Sequence, residues 1–183
     1  MPNYTKLYTP QDSAVVFIDH QPQMTFGVAN IDRALLMNNV TLLAKVAKEF
    51  KVPAVLTAVE TESFSGYVWP QLLDVFPGQT VIERSSMNSW DDAGFRKAIE
   101  ATARKNILLA GLWTEVCVTW PALQMIEEGY TIYVVEDACG ATRGFGLFRR
   151  SRWQEQAQFP LRTGQSHRHR LCRNPNQCLG EMK

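Results

Sequence analysis

Five short apolar runs punctuate the chain, and the stretches between them carry apolar residues three or four positions apart. Ala14-Val-Val-Phe-Ile18 is uninterrupted and stops at Asp19, which suits a central parallel strand covered on both faces. His20 to Met24 reads as loop. Asp32 can cap a helix that keeps Leu35, Leu42, Leu43, Val46 and Phe50 on one face. Pro53 opens a second strand, Ala54 to Val59, and Thr61 to Gly66 is polar and loop-like. Leu72, Leu73 and Phe76 suggest a short helix ended by Pro77-Gly78, before a third strand from Thr80 to Glu83 that leads into Arg84. After the loop Ser85 to Trp90, Ser89 or Asp91 can cap a helix with Phe95, Ala98 and Ile99 inward.

A fourth run, Ile107 to Ala110, is broken by Gly111. From about Glu115, Val116, Trp120, Leu123 and Ile126 recur at helical spacing until Gly129 supplies the stop, and Thr131 to Val135 is the fifth strand. Strands alternating with helices imply right-handed crossovers, hence an α/β domain of three layers (α/β/α) around a parallel sheet. All strand ends in such a sheet point one way. Asp19, Arg84 and the segment Trp113 to Cys117 therefore converge on the carboxyl edge, where open α/β sheets bind ligands.

A length of 183 residues fits one domain, but charge divides it. Residues 1–142 hold 10 Lys/Arg against 16 Asp/Glu, whereas residues 143–183 hold 9 against 2 and contain neither Val nor Ile. We read 1–142 as the folded domain and 143–183 as an atypical basic tail. A shifted reading frame or a truncated and then extended end explains so abrupt a change best, with ordinary disorder as a further alternative. A basic arm for nucleic acid has the arginines but no recognition motif, which argues against that partner. His167, His169, Cys172 and Cys178 have metal-ligand chemistry at a spacing that fits no zinc pattern, and Gly144-Phe-Gly146 lacks the third glycine of a dinucleotide loop. No signal-type or membrane-length apolar segment occurs, and four unpatterned cysteines suit reduced thiols, so the expected location is cytoplasmic, with no membrane partner.

The chemistry centres on Cys117, at a strand-to-helix elbow where backbone N–H groups and the helix dipole would favour a thiolate. A carboxylate beside it can take and return a proton, which suits Asp19, and a cation can hold the charges, which suits Arg84. Backbone N–H groups of the turn can meet a developing oxyanion. His20 adjoins Asp19, but alternation along a strand points it the other way. Taken singly, each residue has a plain structural role open to it: a packed thiol, a turn carboxylate, an exposed cation. Their convergence is what suggests a site. Cys139, with no CxxC spacing to Cys117, does not suggest a redox pair.

Phe17-Ile-Asp19-His-Gln, Arg84 with Asn88-Ser-Trp90-Asp-Asp, Gly111-Leu-Trp-Thr-Glu-Val-Cys117-Val and Val134-Val-Glu-Asp137-Ala resemble the isochorismatase-like cysteine hydrolases, most nearly the YcaC-like branch, over about residues 8–142. The resemblance implies a catalytic triad of Asp19, Arg84 and Cys117, a cis peptide at Leu112-Trp113, and an oxyanion hole from the N–H groups of Trp113 and Cys117. It also implies that the tail replaces the usual last strand and helices. Most of the wider family has Lys where this chain has Arg84, and Arg acts through charge and orientation rather than proton transfer. Nicotinamidases of the family hold a metal with Asp and His; Ala58 to Phe64 lacks His, which argues against a metal and against that activity. Phe64, Trp90 and Trp113 either line the pocket or belong to the core. The expectation is a cofactor-free, homo-oligomeric hydrolase that cleaves a C–N bond of a small amide-like substrate through a thioester. The alternatives are a vinyl-ether hydrolase of isochorismatase type and a catalytically silent oligomeric binding protein of the same fold.

Overall fold

The computed structural model describes residues 7–142; the expectations for the tail, its metal-ligand types and its glycines lie outside the described residues. In chain order the elements are β1 (Ser13–Ile18), α1 (Pro22–Phe26), α2 (Arg33–Glu49), β2 (Ala54–Val59), a π-turn (Thr61–Ser65), α3 (Pro70–Leu73), β3 (Val81–Arg84) and α4 (Ala93–Ala101). Then come β4 (Asn106–Gly111), a second π-turn (Thr114–Val118), α5 (Thr119–Glu127) and β5 (Thr131–Val134). The strands form one parallel sheet in the order β3-β2-β1-β4-β5.

That order puts β1, the continuous apolar run, in the middle, with every residue buried. The chain winds outward from β1 to β3, then returns to start β4 on the other side of β1. The reversal falls at the ends of β1 and β4, the position at which open sheets of this kind bind ligands. Close approach at this point requires glycine. A Cβ on Gly111 would lie 2.8 Å from both the Ile18 Cβ and the Val118 Cγ2.

The strands lie within one residue of their sequence positions at either end, and Asp32 caps α2 as expected, accepting from the Leu35 N–H at 2.9 Å. The helix faces need correction. α2 buries Leu36, Val40, Ala44 and Ala47, while Leu35, Leu42, Val46 and Phe50 are exposed. The helix carries two apolar stripes, and the one containing small alanines faces inward, where a helix can lie close to the sheet. The cap of α4 is Asp92, not Ser89 or Asp91; its carboxylate accepts from the Phe95 N–H at 2.7 Å. Ser89 to Asp91 instead form a 3₁₀ turn, held by the Asn88 side chain accepting from the Trp90 N–H at 3.2 Å. In α5 it is Pro121, Ala122 and Met125 that are buried, and Trp120 is exposed. The two stretches read as loops contain α1 and the first π-turn, elements of five residues each, too short to show a period.

The reassigned face of α2 is directly testable. Leu36→Ala should lower stability by about 2–5 kcal/mol, and Leu42→Ala by no more than about 0.5 kcal/mol, in urea denaturation; the reverse ranking would restore the face expected from the sequence.

Candidate active site

β1 ends at Ile18 and the next residue turns the chain out of the sheet. Asp19 has φ of 56°, the left-handed region that costs a non-glycine residue on the order of 1 kcal/mol. Its N–H still pairs with the Thr57 carbonyl at 3.0 Å, and its own carbonyl accepts from the Gln21 N–H at 2.8 Å. The turn aims the carboxylate across the end of β2 toward Arg84, the last residue of β3. Arg84 Nη2 donates to both Asp19 oxygens at 2.6 Å, and Nη1 donates to the Ser86 carbonyl. Both side chains of this ion pair are fully shielded from solvent. Arg84 Nε is buried and has no partner among the described residues.

From the other side, Cys117 lies near enough to the Asp19 carboxylate for each to shift the other's titration. The structure therefore brings together the three residues expected to meet, from β1, β3 and the turn after β4. Cys117 is fully buried. Leu112-Trp113 is cis, as the resemblance implied. The backbone N–H of Trp113 makes no hydrogen bond among the described residues, whereas that of Cys117 donates to the Trp113 carbonyl at 2.9 Å. Of the two expected oxyanion donors, one is open and one is engaged inside its own turn.

The thiolate expectation is reversed. Burial, then the charge and hydrogen bond of Asp19, push the Cys117 thiol up to about 12, against weaker opposing help from the Trp113 backbone and Arg84. Cys117 is the fourth residue of a π-turn that runs straight into α5, so it does not occupy the open first turn of a helix, where free N–H groups would support a thiolate. Burial also raises Asp19, to about 6, with Arg84 and the Cys117 hydrogen bond holding it down. The resting arrangement at neutral pH is a carboxylate facing a neutral thiol.

The aromatic candidates separate. Trp90 belongs to the core: it is buried, its Nε1 donates to Glu128 Oε1 at 2.8 Å, and its ring meets Phe95 and Tyr130 edge-on. Trp113 is half-buried and fixed by Nε1 donating to the Met24 carbonyl at 2.7 Å, its ring so close to Gly27 that a Cβ there would sit 2.8 Å away. Phe64 is exposed on the first π-turn. His20 points away from the triad, with Nε2 3.3 Å from the Ala138 carbonyl and its ring against Phe17 and Trp69. Among the described residues no three His, Cys, Asp or Glu side chains converge as a metal site, and no helix is long and apolar enough to cross a membrane. Two hollows, of about 520 Å³ and about 280 Å³, lie elsewhere; neither is lined by a triad residue.

Residues 13–146 match the isochorismatase domain model. The chain belongs to the isochorismatase family. Within the family it is 38% identical over 148 residues to the probable hydrolase YcaC of Escherichia coli K12, a match covering 80% of this chain and 70% of that protein. The crystal structure of Escherichia coli YcaC, an octameric hydrolase of unknown specificity, superposes with a TM-score of 0.77 at 37% identity, covering 86% of this chain and 76% of that one. YcaC from Pseudomonas aeruginosa, solved with hexane-2,5-diol and covalent acrylamide, gives a TM-score of 0.74 at 36% identity, over 78% and 71%. The protein is thus a YcaC-like isochorismatase-family hydrolase built on the family's parallel sheet.

Two buried titrations should oppose each other in acid. Burial lowers His20 to about 4, so its contribution to stability is present above pH 6.5 and is lost as pH falls toward 4, by on the order of 3 kcal/mol. Asp19, raised to about 6, works in reverse: its burial costs least below its unfolded value of 3.8 and most above pH 6. His20→Phe should therefore gain stability relative to wild type between pH 6.5 and 4.5 in urea titrations; an unchanged difference across that range would contradict a buried neutral imidazole.

Proposed function

We propose that the protein hydrolyses a C–N bond of a small, uncharged amide-like compound, with Cys117 as nucleophile, Asp19 as the proton carrier and Arg84 as the fixed cation. The observation that supports this most directly is the single buried carboxylate held by Arg84 on one side and neighboured by the Cys117 thiol on the other. As the sulfur bonds to the carbonyl carbon, its proton passes to Asp19. The oxygen of the tetrahedral adduct takes up negative charge facing the Trp113 N–H, with the Cys117 N–H shared between that oxygen and the Trp113 carbonyl as a three-centre bond. Asp19 then protonates the departing nitrogen, the C–N bond breaks, and a thioester remains. The same carboxylate takes a proton from water, the resulting hydroxide attacks the thioester, and the acid leaves as Cys117 regains its proton. Arg84, which does not deprotonate in proteins, orients the carboxylate throughout.

The covalent acrylamide on the Pseudomonas aeruginosa relative is in keeping with a nucleophile in this fold, although thiols add to acrylamide at its alkene carbon and leave the amide C–N bond intact. The octameric state of the Escherichia coli relative supports a homo-oligomer here as well. A second reading, a catalytically silent member of the fold, draws on one observation: Cys117 and Asp19 are fully buried and the hollows lie elsewhere.

A screen of small primary and N-substituted amides separates these readings. Turnover should be found with at least one uncharged amide, and both Cys117→Ala and Asp19→Asn should reduce it by on the order of 10³-fold or more, with mass spectrometry detecting an acyl adduct on the wild type. Turnover that survives Cys117→Ala would sink the mechanism, vinyl-ether cleavage without amide cleavage would sink the substrate class, and a screen with no turnover and no adduct would leave the silent reading.

A further inference from the structure

We propose that Gln21 is a positioning residue of this site, its side-chain amide standing in for the strand that β1 no longer supplies beside the end of β2. β1 pairs with β2 only as far as Ile18 opposite Thr57, because the chain leaves the sheet at Asp19. β2 continues for two more residues, and Val59 is paired on its far side with Arg84. On the near side, the N–H and C=O of Val59 would face a gap inside the protein. The Gln21 amide occupies it. Oε1 accepts from the Val59 N–H at 3.0 Å, and Nε2 donates to the Val59 carbonyl at 3.0 Å, the two bonds that a neighbouring peptide group would have made. The second Nε2 hydrogen goes to the Gly66 carbonyl at 2.5 Å, closing the first π-turn onto the same point. Gln21 is fully buried.

The arrangement leads directly to the triad. Glu60, next after Val59, has φ of 49° and donates its N–H to the Arg84 carbonyl at 3.0 Å. The backbone N–H of Gln21 itself donates to the Asp19 carbonyl at 2.8 Å. One side chain thus ties the residue that holds Arg84's backbone to the turn that aims Asp19. The ion pair of Asp19 and Arg84 crosses the end of β2 and has no direct strand pairing to fix its separation, since β1 and β3 are not neighbours. With the amide removed, Val59 loses two buried bonds, and the distance between guanidinium and carboxylate is held only through the Asp19–Thr57 bond and the pairing of β2 with β3. The charged groups facing Asp19 are Arg84 from β3 and the titratable Cys117 from the turn after β4; His20, on its own segment, faces the Ala138 carbonyl instead.

This inference rests on the proposal that Asp19 takes the proton of Cys117, and it is read without a known substrate by alkylating the full-length protein with iodoacetamide and following the Cys117 peptide by mass spectrometry. In wild type the rate should rise with pH to a midpoint near the Asp19 value of about 6. In Gln21→Met, which keeps the length but not the amide, a looser Arg84 should shift that midpoint up by about one pH unit, with alkylation at pH 6 slower by about fivefold. Leu36→Ala, which destabilises the core on α2 away from the triad, should keep the wild-type midpoint, so loss of stability alone cannot produce the shift. If Gln21→Met does not fold, Gln21→Asn, with its amide one methylene short, is read in the same way. A wild-type midpoint retained in the Gln21 variant would reduce Gln21 to a structural role. A wild-type profile with no rise near pH 6 would overturn the Asp19 proton-transfer reading itself, and this inference with it.

Discussion

Everything at the carboxyl edge of the sheet depends on keeping one carboxylate charged where no water reaches it. Asp19 is fully shielded, and desolvation of a charge is the largest cost a protein interior can impose. Arg84 offsets that cost with a partner that cannot give up its proton, and the neighbouring thiol of Cys117 lowers it further without adding charge. The balance is incomplete, which is why Asp19 titrates near 6 and not near 4. A carboxyl group poised within about a unit of neutral pH is suited to carrying a proton in both directions. The residual cost of burial and the fitness for proton transfer are the same fact seen twice.

The backbone is bent to serve that pair. Asp19 and Glu60 both adopt left-handed φ values, and they flank the end of β2, over which the ion pair reaches. Two non-glycine residues in that region on adjacent strands are a local cost with no gain in core packing, the pattern expected where geometry is held for chemistry. Gly111 makes the matching allowance at β4, letting Ile18 and Val118 close on the backbone so that the turn carrying Cys117 returns over the end of β1.

How much of this was legible in the sequence follows from which forces are local. The strands were, because a buried parallel strand is a continuous apolar run bounded by turn residues, and the register of β1 with β2 and β4 then brings Asp19, Arg84 and Cys117 to one edge. The inner face of α2 was not. Its bulkier stripe, Leu35, Leu42, Val46 and Phe50, outscores the alanine-bearing one on apolar volume, and only the nearness of the sheet decides for Ala44 and Ala47. The protonation of Cys117 was also hidden, since an elbow after a strand suggests an open helix terminus, whereas a π-turn engages the N–H groups and burial outweighs the rest. Gln21 stood in the first-strand motif that carried the resemblance but without a role, because that role arises from β1 stopping two residues before β2, a difference between strands that no single segment displays. The composition change after residue 142 was plain in the sequence, and it falls outside the described residues.

The neutral thiol also constrains how the proposed reaction can proceed. A free thiolate beside an ionised Asp19 would set two buried anions against one guanidinium, so sulfur cannot release its proton in advance of attack. If the proton moves to Asp19 while the S–C bond forms, one negative charge leaves the carboxylate as another appears on the substrate oxygen, and the site's net charge stays at zero. Collapse to the thioester returns the charge to Asp19, and attack by water repeats the exchange. At no stage does the buried site hold more than one anion for its one cation. A charged substrate would break that balance, whereas an uncharged amide preserves it. Charge conservation thus favours a neutral substrate for this site.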